Sequence, residues 1–161
     1  MDGGVSQRTV TEATAARKAA ALVVLWIPVL ILGAYVVVMA ERLPAVVATH
    51  WGQGVDPNGF MTGRGNVVSS LIPAVVGALM GTVGVLRTPR GTLVPTAALL
   101  LAGGALACVP SVVLVLTTRA TLAAGDPTHA DLDGWMPLVF AAMLWGLLPL
   151  RLLHLRISAG H

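Results

Sequence analysis

Ala19–Ala40 reads AAALVVLWIPVLILGAYVVVMA, a stretch with no Asp, Glu, Lys, Arg or His anywhere in it. A helix rises about 1.5 Å per residue, so roughly 20 such residues cross a hydrocarbon layer of about 30 Å. Three further apolar runs follow: Val67–Leu86, Thr92–Thr118 and Trp135–Leu150. The last reaches spanning length only with its flanks, Gly134 and Leu152–Leu153, or in a slightly thinner bilayer. The pattern predicts an all-α membrane protein with four transmembrane helices in two antiparallel hairpins. Their boundaries are read as 19–40, 67–86, 92–118 and 134–153 within one domain, 19–153. The outer loops are 41–66 and 119–133, and the tails are 1–18 and 154–161.

Composition agrees. Of the 161 residues 56% are hydrophobic and only 11% charged, against roughly 25% charged in an ordinary soluble domain. Too little polar surface remains to cover a water-soluble globule. The net charge of +3 comes from scattered residues rather than a basic patch, so it does not point to nucleic acid. The lone cysteine, Cys108, lies in mid-run and has no intrachain partner, which excludes a disulfide framework.

The basic residues set the orientation. With both termini cytoplasmic, the inner segments hold Arg8, Arg17, Lys18, Arg87, Arg90, Arg151 and Arg156, and the outer segments hold Arg42, Arg64 and Arg119. Seven against three is the direction that the positive-inside rule requires. A cleaved signal peptide ending near Val38-Met39-Ala40 is the competing reading, but its apolar region is longer than the usual ~7–15 residues. The first run is therefore read as an uncleaved helix.

Small residues punctuate the middle runs. Gly77, Gly81 and Gly84 lie along the second helix, and Gly103 and Gly104 interrupt the third. In lipid such residues let helix backbones approach closely. They read as packing within the chain or, alternatively, as a dimerisation face or a hinge.

The outer loops hold the candidate chemistry. No Asp, Glu, Lys, Arg or His stands within the apolar runs, which argues against a proton relay or an ion-coupled pump. His50, Asp56, His129, Asp131 and Asp133 fall in the two outer loops and are residue types that suit divalent ions. Their spacing matches no established ligand pattern, and solvated loop polarity explains them as well. No HExxH, GxSxG or phosphate-binding glycine loop is present. Ser69 and Ser70 with His50 form the only imaginable nucleophile pair, and membrane serines commonly bond helix backbone instead. The chain is read as no enzyme, with no cofactor.

In the first loop, Asn58-Gly59 is a strong turn dipeptide. Leu43-Pro44, His50-Trp51 and Pro57-Asn58-Gly59-Phe60 together resemble the loop of domain-of-unknown-function family 1648. That bacterial membrane family also occurs in SdpI-type toxin-immunity proteins. The resemblance covers about residues 22–86. Leu43, Pro44, His50, Trp51, Pro57, Gly59 and Phe60 fall on matching positions. Ala48, Gly52, Gly54 and Asn58 depart from the pattern, Asn58 standing where the family carries Asp. The likeness implies a non-catalytic inner-membrane protein whose outer loop has a defined shape, with a role in peptide-toxin resistance or envelope sensing. The residues themselves allow an accessory subunit of a transporter or other membrane complex, whose partner would be a second copy or another membrane protein, and a metal-dependent enzyme using the outer loops. His50 is expected either to hydrogen-bond loop backbone and hold the turn, or to meet a ligand.

Overall fold

The computed structural model describes residues 15–52, 56–88, 93–132 and 134–153. Residues 1–14, 53–55, 89–92 and 154–161 and the metal candidate Asp133 lie outside them.

Three long helices form the bundle: α1 (Ala15–Met39), α2 (Gly63–Arg87) and α3 (Leu93–Ala124). All three are long and apolar enough to cross a membrane. The buried positions of α1, Ala21, Leu25, Pro28, Val29 and Leu32, recur at three- and four-residue spacing and make one helical stripe. Outside that stripe Val23, Leu30, Ile31, Val37 and Val38 are more than 60% exposed. On α2 the exposed Val68, Ile72, Val76, Leu79, Val83 and Leu86 line a second outward face. A water-soluble monomer rarely leaves so much contiguous apolar surface uncovered, whereas lipid solvates it without cost.

The α2–α3 contact is the most extensive in the molecule, and glycine makes it possible. A Cβ added at Gly77 would lie 2.5 Å from the Ala107 nitrogen, and one at Gly103 would lie 2.6 Å from the Gly81 nitrogen. Gly81 also receives Leu25 of α1, and Gly84 packs on Leu99 and Leu100 of α3. Gly104 instead faces Gly146, whose Cα a Cβ would meet at 2.4 Å. Each of these glycines therefore faces a helix of its own chain. Two apolar clusters fill the remaining space. Ala21, Leu25, Val85, Leu100 and Leu153 form one. Val29, Leu32, Ala74, Ala78, Ala107 and Leu114 form the other.

Pro28 has no amide hydrogen, so the Val24 carbonyl one turn earlier lacks its helical donor. The Trp145 indole Nε1 donates to that carbonyl at 3.0 Å. Trp26 likewise donates to Thr82 Oγ1 at 3.2 Å, and the Thr82 hydroxyl donates to the Ala78 carbonyl. At the far end Lys18 Nζ donates to the Thr88 carbonyl just beyond α2, where a cation also complements the helix dipole.

The structure corrects the all-α expectation in four places. Loop 41–66 folds into an antiparallel hairpin, β1 (Val46–Trp51) with β2 (Pro57–Thr62). Asn58-Gly59 is not its turn, because Gly59 pairs with His50 inside the ladder. Thr49 and Asn58 are the extra residues at two irregularities, since Ala48 pairs with Phe60 and Trp51 with Pro57. Second, α2 begins at Gly63 rather than 67, because the Thr62 hydroxyl caps it by accepting from the Gly65 amide at 3.0 Å. Third, α3 continues past 118 to Ala124 and stops at Gly125, whose φ of +71° suits glycine.

Fourth, the last apolar run is short and segmented. It comprises α4 (Met136–Met143), a 3-10 turn (Leu144–Gly146) and α5 (Leu147–Leu152). Its Met136–Leu152 extent falls below the length of the other three. Pro149 removes the amide that would bond the Trp145 carbonyl, and the Leu147 amide bonds Leu144 and Trp145 at shorter range. Four antiparallel segments thus place Ala15 and Leu153 at one end of the bundle and the hairpin at the other.

Candidate functional site

A cleft of about 570 Å³ opens at the hairpin end. One wall is β1, the floor is the last part of α3, and the other wall is the segment from Asp131 into α4. The motif residues of the first loop build the first wall. The Pro44 carbonyl packs on Gly63, 2.2 Å from where a Cβ would stand, and the Gly63 amide donates to the Ala45 carbonyl at 3.2 Å. Leu43 covers the same glycine. Gly59 lies opposite His50 and would clash with its Cβ if substituted. Pro57 is buried, while Asn58 and Phe60 are exposed.

Two hydrogen bonds fasten the hairpin. The Ala48 amide donates to Thr121 Oγ1 of α3 at 3.2 Å. Trp51 Nε1 donates to the Ala130 carbonyl at 2.9 Å, so the two connecting segments meet. Below them the Asn66 side chain donates to Thr117 Oγ1 at 3.0 Å, with both residues buried. Thr117 and Thr121 return their own hydroxyl protons to the helix carbonyls of Leu114 and Thr117. The Tyr35 and Thr118 hydroxyls lie close together, and among the described residues neither meets hydrogen-bond geometry with a partner.

His50 is exposed on the cleft wall. The expected bond from its ring to loop backbone is absent among the described residues, because the ladder rather than the imidazole sets the hairpin's shape. Asp131 lines the same cleft, but Asp56 and His129 do not. His129 instead sits 3.5 Å from Asp126 within one turn. No cluster of three metal-ligating side chains forms among the described residues. Ser69 donates to the Asn66 carbonyl at 3.0 Å and Ser70 is buried on α2. No hydrogen bond joins either to His50 among the described residues.

Comparison of the chain with protein-family models, with curated proteins and with solved structures finds no match.

The polar network beneath the hairpin escaped the sequence reading. Asn66 stands just before an apolar run, and Thr117 and Thr121 are one helical turn apart at the end of another. That spacing was the available signal. Trp51 offers a direct test of the hairpin's attachment. Trp51→Phe keeps an aromatic ring and loses the bond to Ala130, a loss of about 1 kcal/mol. Amide exchange in 46–51 and 57–62 should rise roughly fivefold at that cost, and unchanged protection would show that the bond is not what holds the strand.

Asp126 gives a second local test. The Thr128 backbone amide at 2.9 Å, then the Thr128 hydroxyl and the nearby His129, hold its carboxyl below the ordinary value of 3.8. The turn's preference for the ionised form is therefore present above the unfolded value and lost as pH falls through the lowered folded one. A carboxyl-carbon NMR titration should place the Asp126 midpoint below that of an exposed reference aspartate. Thr128→Ala should move it back up.

Proposed function

We propose that this chain is a non-catalytic, multi-pass protein of a bacterial inner membrane that recognises membrane-active peptides at its hairpin end, in resistance or envelope sensing. The hairpin end faces outward and both termini face the cytoplasm, as the seven-to-three arginine and lysine count favours. The observation that carries the reading is the fastened hairpin. Trp51 and Thr121 hold β1 against the bundle, so an otherwise open loop becomes one wall of a shaped cleft. A rigid wall lowers the ordering cost of binding. The lining offers indoles, an imidazole and one carboxylate over an aliphatic floor, a composition typical of recognition pockets. The loop motif's likeness to immunity-type membrane proteins points the same way.

Deletion of the gene should raise sensitivity to a panel of membrane-active peptides or change transcription of neighbouring genes, and the intact gene should restore both. No change in either would remove the proposal. The uncovered face of α2, with Ile72, Val76 and Val83, favours one alternative, an accessory subunit docked along that face. Mass analysis of the protein extracted in mild detergent distinguishes the two, because a lone monomer speaks against the subunit reading.

A further inference from the structure

The cleft combines aromatic, acidic and apolar lining, and one of its residues also borders a second cavity. Among its described lining residues there is no Lys or Arg, one imidazole, His50, and one carboxylate, Asp131. Asp131 is exposed and also takes part in an interaction within the chain. Two indoles, Trp51 and Trp135, share the lining. The ring of Trp51 is pinned by its bond to Ala130. Beyond Leu116 a second cavity of about 310 Å³ runs between α1, α3 and α4, past Leu138 and Trp145. Leu116 lines both spaces.

From this juxtaposition we infer that the cleft binds an alkylammonium group, its cationic head between Trp51, Trp135 and Asp131, and its apolar chain running over Leu116. The chemistry selects this class over the others. Indole faces attract organic cations through the ring quadrupole, and desolvation strengthens the attraction. The carboxylate adds coulombic attraction and repels anions. A divalent metal ion is disfavoured because no three-ligand cluster exists among the described residues. A neutral apolar ligand would gain the aliphatic floor but nothing from the rim. The volume lies within the 300–1,000 Å³ typical of small-ligand sites. The inference rests on the cleft being the recognition site proposed above, and it assigns the group recognised there.

The test uses the full chain in maltoside detergent. Decyltrimethylammonium, decyl sulfate and uncharged decanol are titrated while tryptophan emission and retained ligand are followed, with protein-free micelles as background. The expected result is saturable binding of the cation alone. Asp131→Asn and, separately, the exposed Trp135→Leu should each weaken it about tenfold, matching the roughly 1.4 kcal/mol that such contacts contribute. Val139→Phe, which narrows the cleft from α4, should reduce binding with the carboxylate intact. Melting curves of each variant separate lost binding from lost folding, and if Asp131→Asn does not fold, Trp135→Leu and Val139→Phe decide. Equal responses to all three amphiphiles, or unchanged cation binding in the folded variants, would overturn the inference. A cationic amphipathic peptide added as competitor identifies the source of the head group: displacement assigns it to a peptide, and no displacement to a small amphiphile. Failure of cation selectivity with an intact peptide-sensitivity phenotype sinks only this inference. Selective cation binding without any phenotype sinks only the peptide reading.

Discussion

Gly77→Leu is expected to abolish stable folding of the purified protein. The site of the new Cβ lies 2.5 Å from the Ala107 nitrogen and 2.7 Å from the Gly103 carbonyl oxygen. Both are backbone atoms of α3, so no flexible side chain can yield. Overpacking a dense core costs about 1–3 kcal/mol even where side chains can rearrange, and here two helix axes must separate along their main contact. Gly103→Leu should do the same from the other side, since its Cβ would meet the Gly81 and Gly77 backbone. Gly33→Leu is the control, because nothing lies within 4 Å of the Cβ that it would add. Thermal melting and monodispersity in detergent should leave Gly33→Leu close to the parent and Gly77→Leu aggregated or unfolded. Equal behaviour of the two would show that close helix approach does not limit stability.

The second large effect concerns Trp145. Trp145→Phe retains an aromatic ring but removes the indole donor that meets the Val24 carbonyl. An unsatisfied buried carbonyl costs about 1–3 kcal/mol, and in an apolar solvent no water relieves it. The diagnostic arm is Pro28→Ala. Alanine restores an amide hydrogen one turn below Val24, so the helix can satisfy its own carbonyl. In the Pro28→Ala background, Trp145→Phe should therefore cost much less than in the parent. A double-mutant cycle measures the coupling. Strict additivity of the two changes would show that proline and tryptophan act independently and that the donor matters little.

The same pair illustrates what the sequence could and could not disclose. The three long helices are legible because uninterrupted apolar length is a strong signal, and Ala15–Met39 matches the first run to within a few residues. The hairpin was not legible. VVATHW and PNGFMT are short, and each carries an extra residue that breaks strict alternation. Asn58-Gly59 advertised a turn that bulging instead absorbed into a strand. The end of α3 was misplaced because Thr117, Thr118 and Arg119 look like a polar boundary, yet their neighbour Thr121 serves the hairpin from a continuing helix. At the cleft, His50, Trp51 and Asp131 stood out as polar or aromatic loop residues. Leu116 and Val139 did not, since apolar residues in apolar runs give no sign of facing a cavity. Nor could sequence reveal that Trp145 answers Pro28 through the Val24 carbonyl, because those bonded partners stand 121 positions apart and only the folded bundle joins them.

The segmented fourth helix carries a consequence for the surrounding membrane. Met136–Leu152 covers only about 25 Å at 1.5 Å per residue, while its neighbours reach well beyond the roughly 30 Å of a hydrocarbon layer. If this segment crosses a bilayer beside them, lipid tails along the one flank compress or tilt to meet it, at a cost of fractions of a kcal/mol per ångström. The protein would thus wear a lopsided collar of thinned bilayer, and would partition towards short-chain or loosely ordered lipid patches with its α4 side leading.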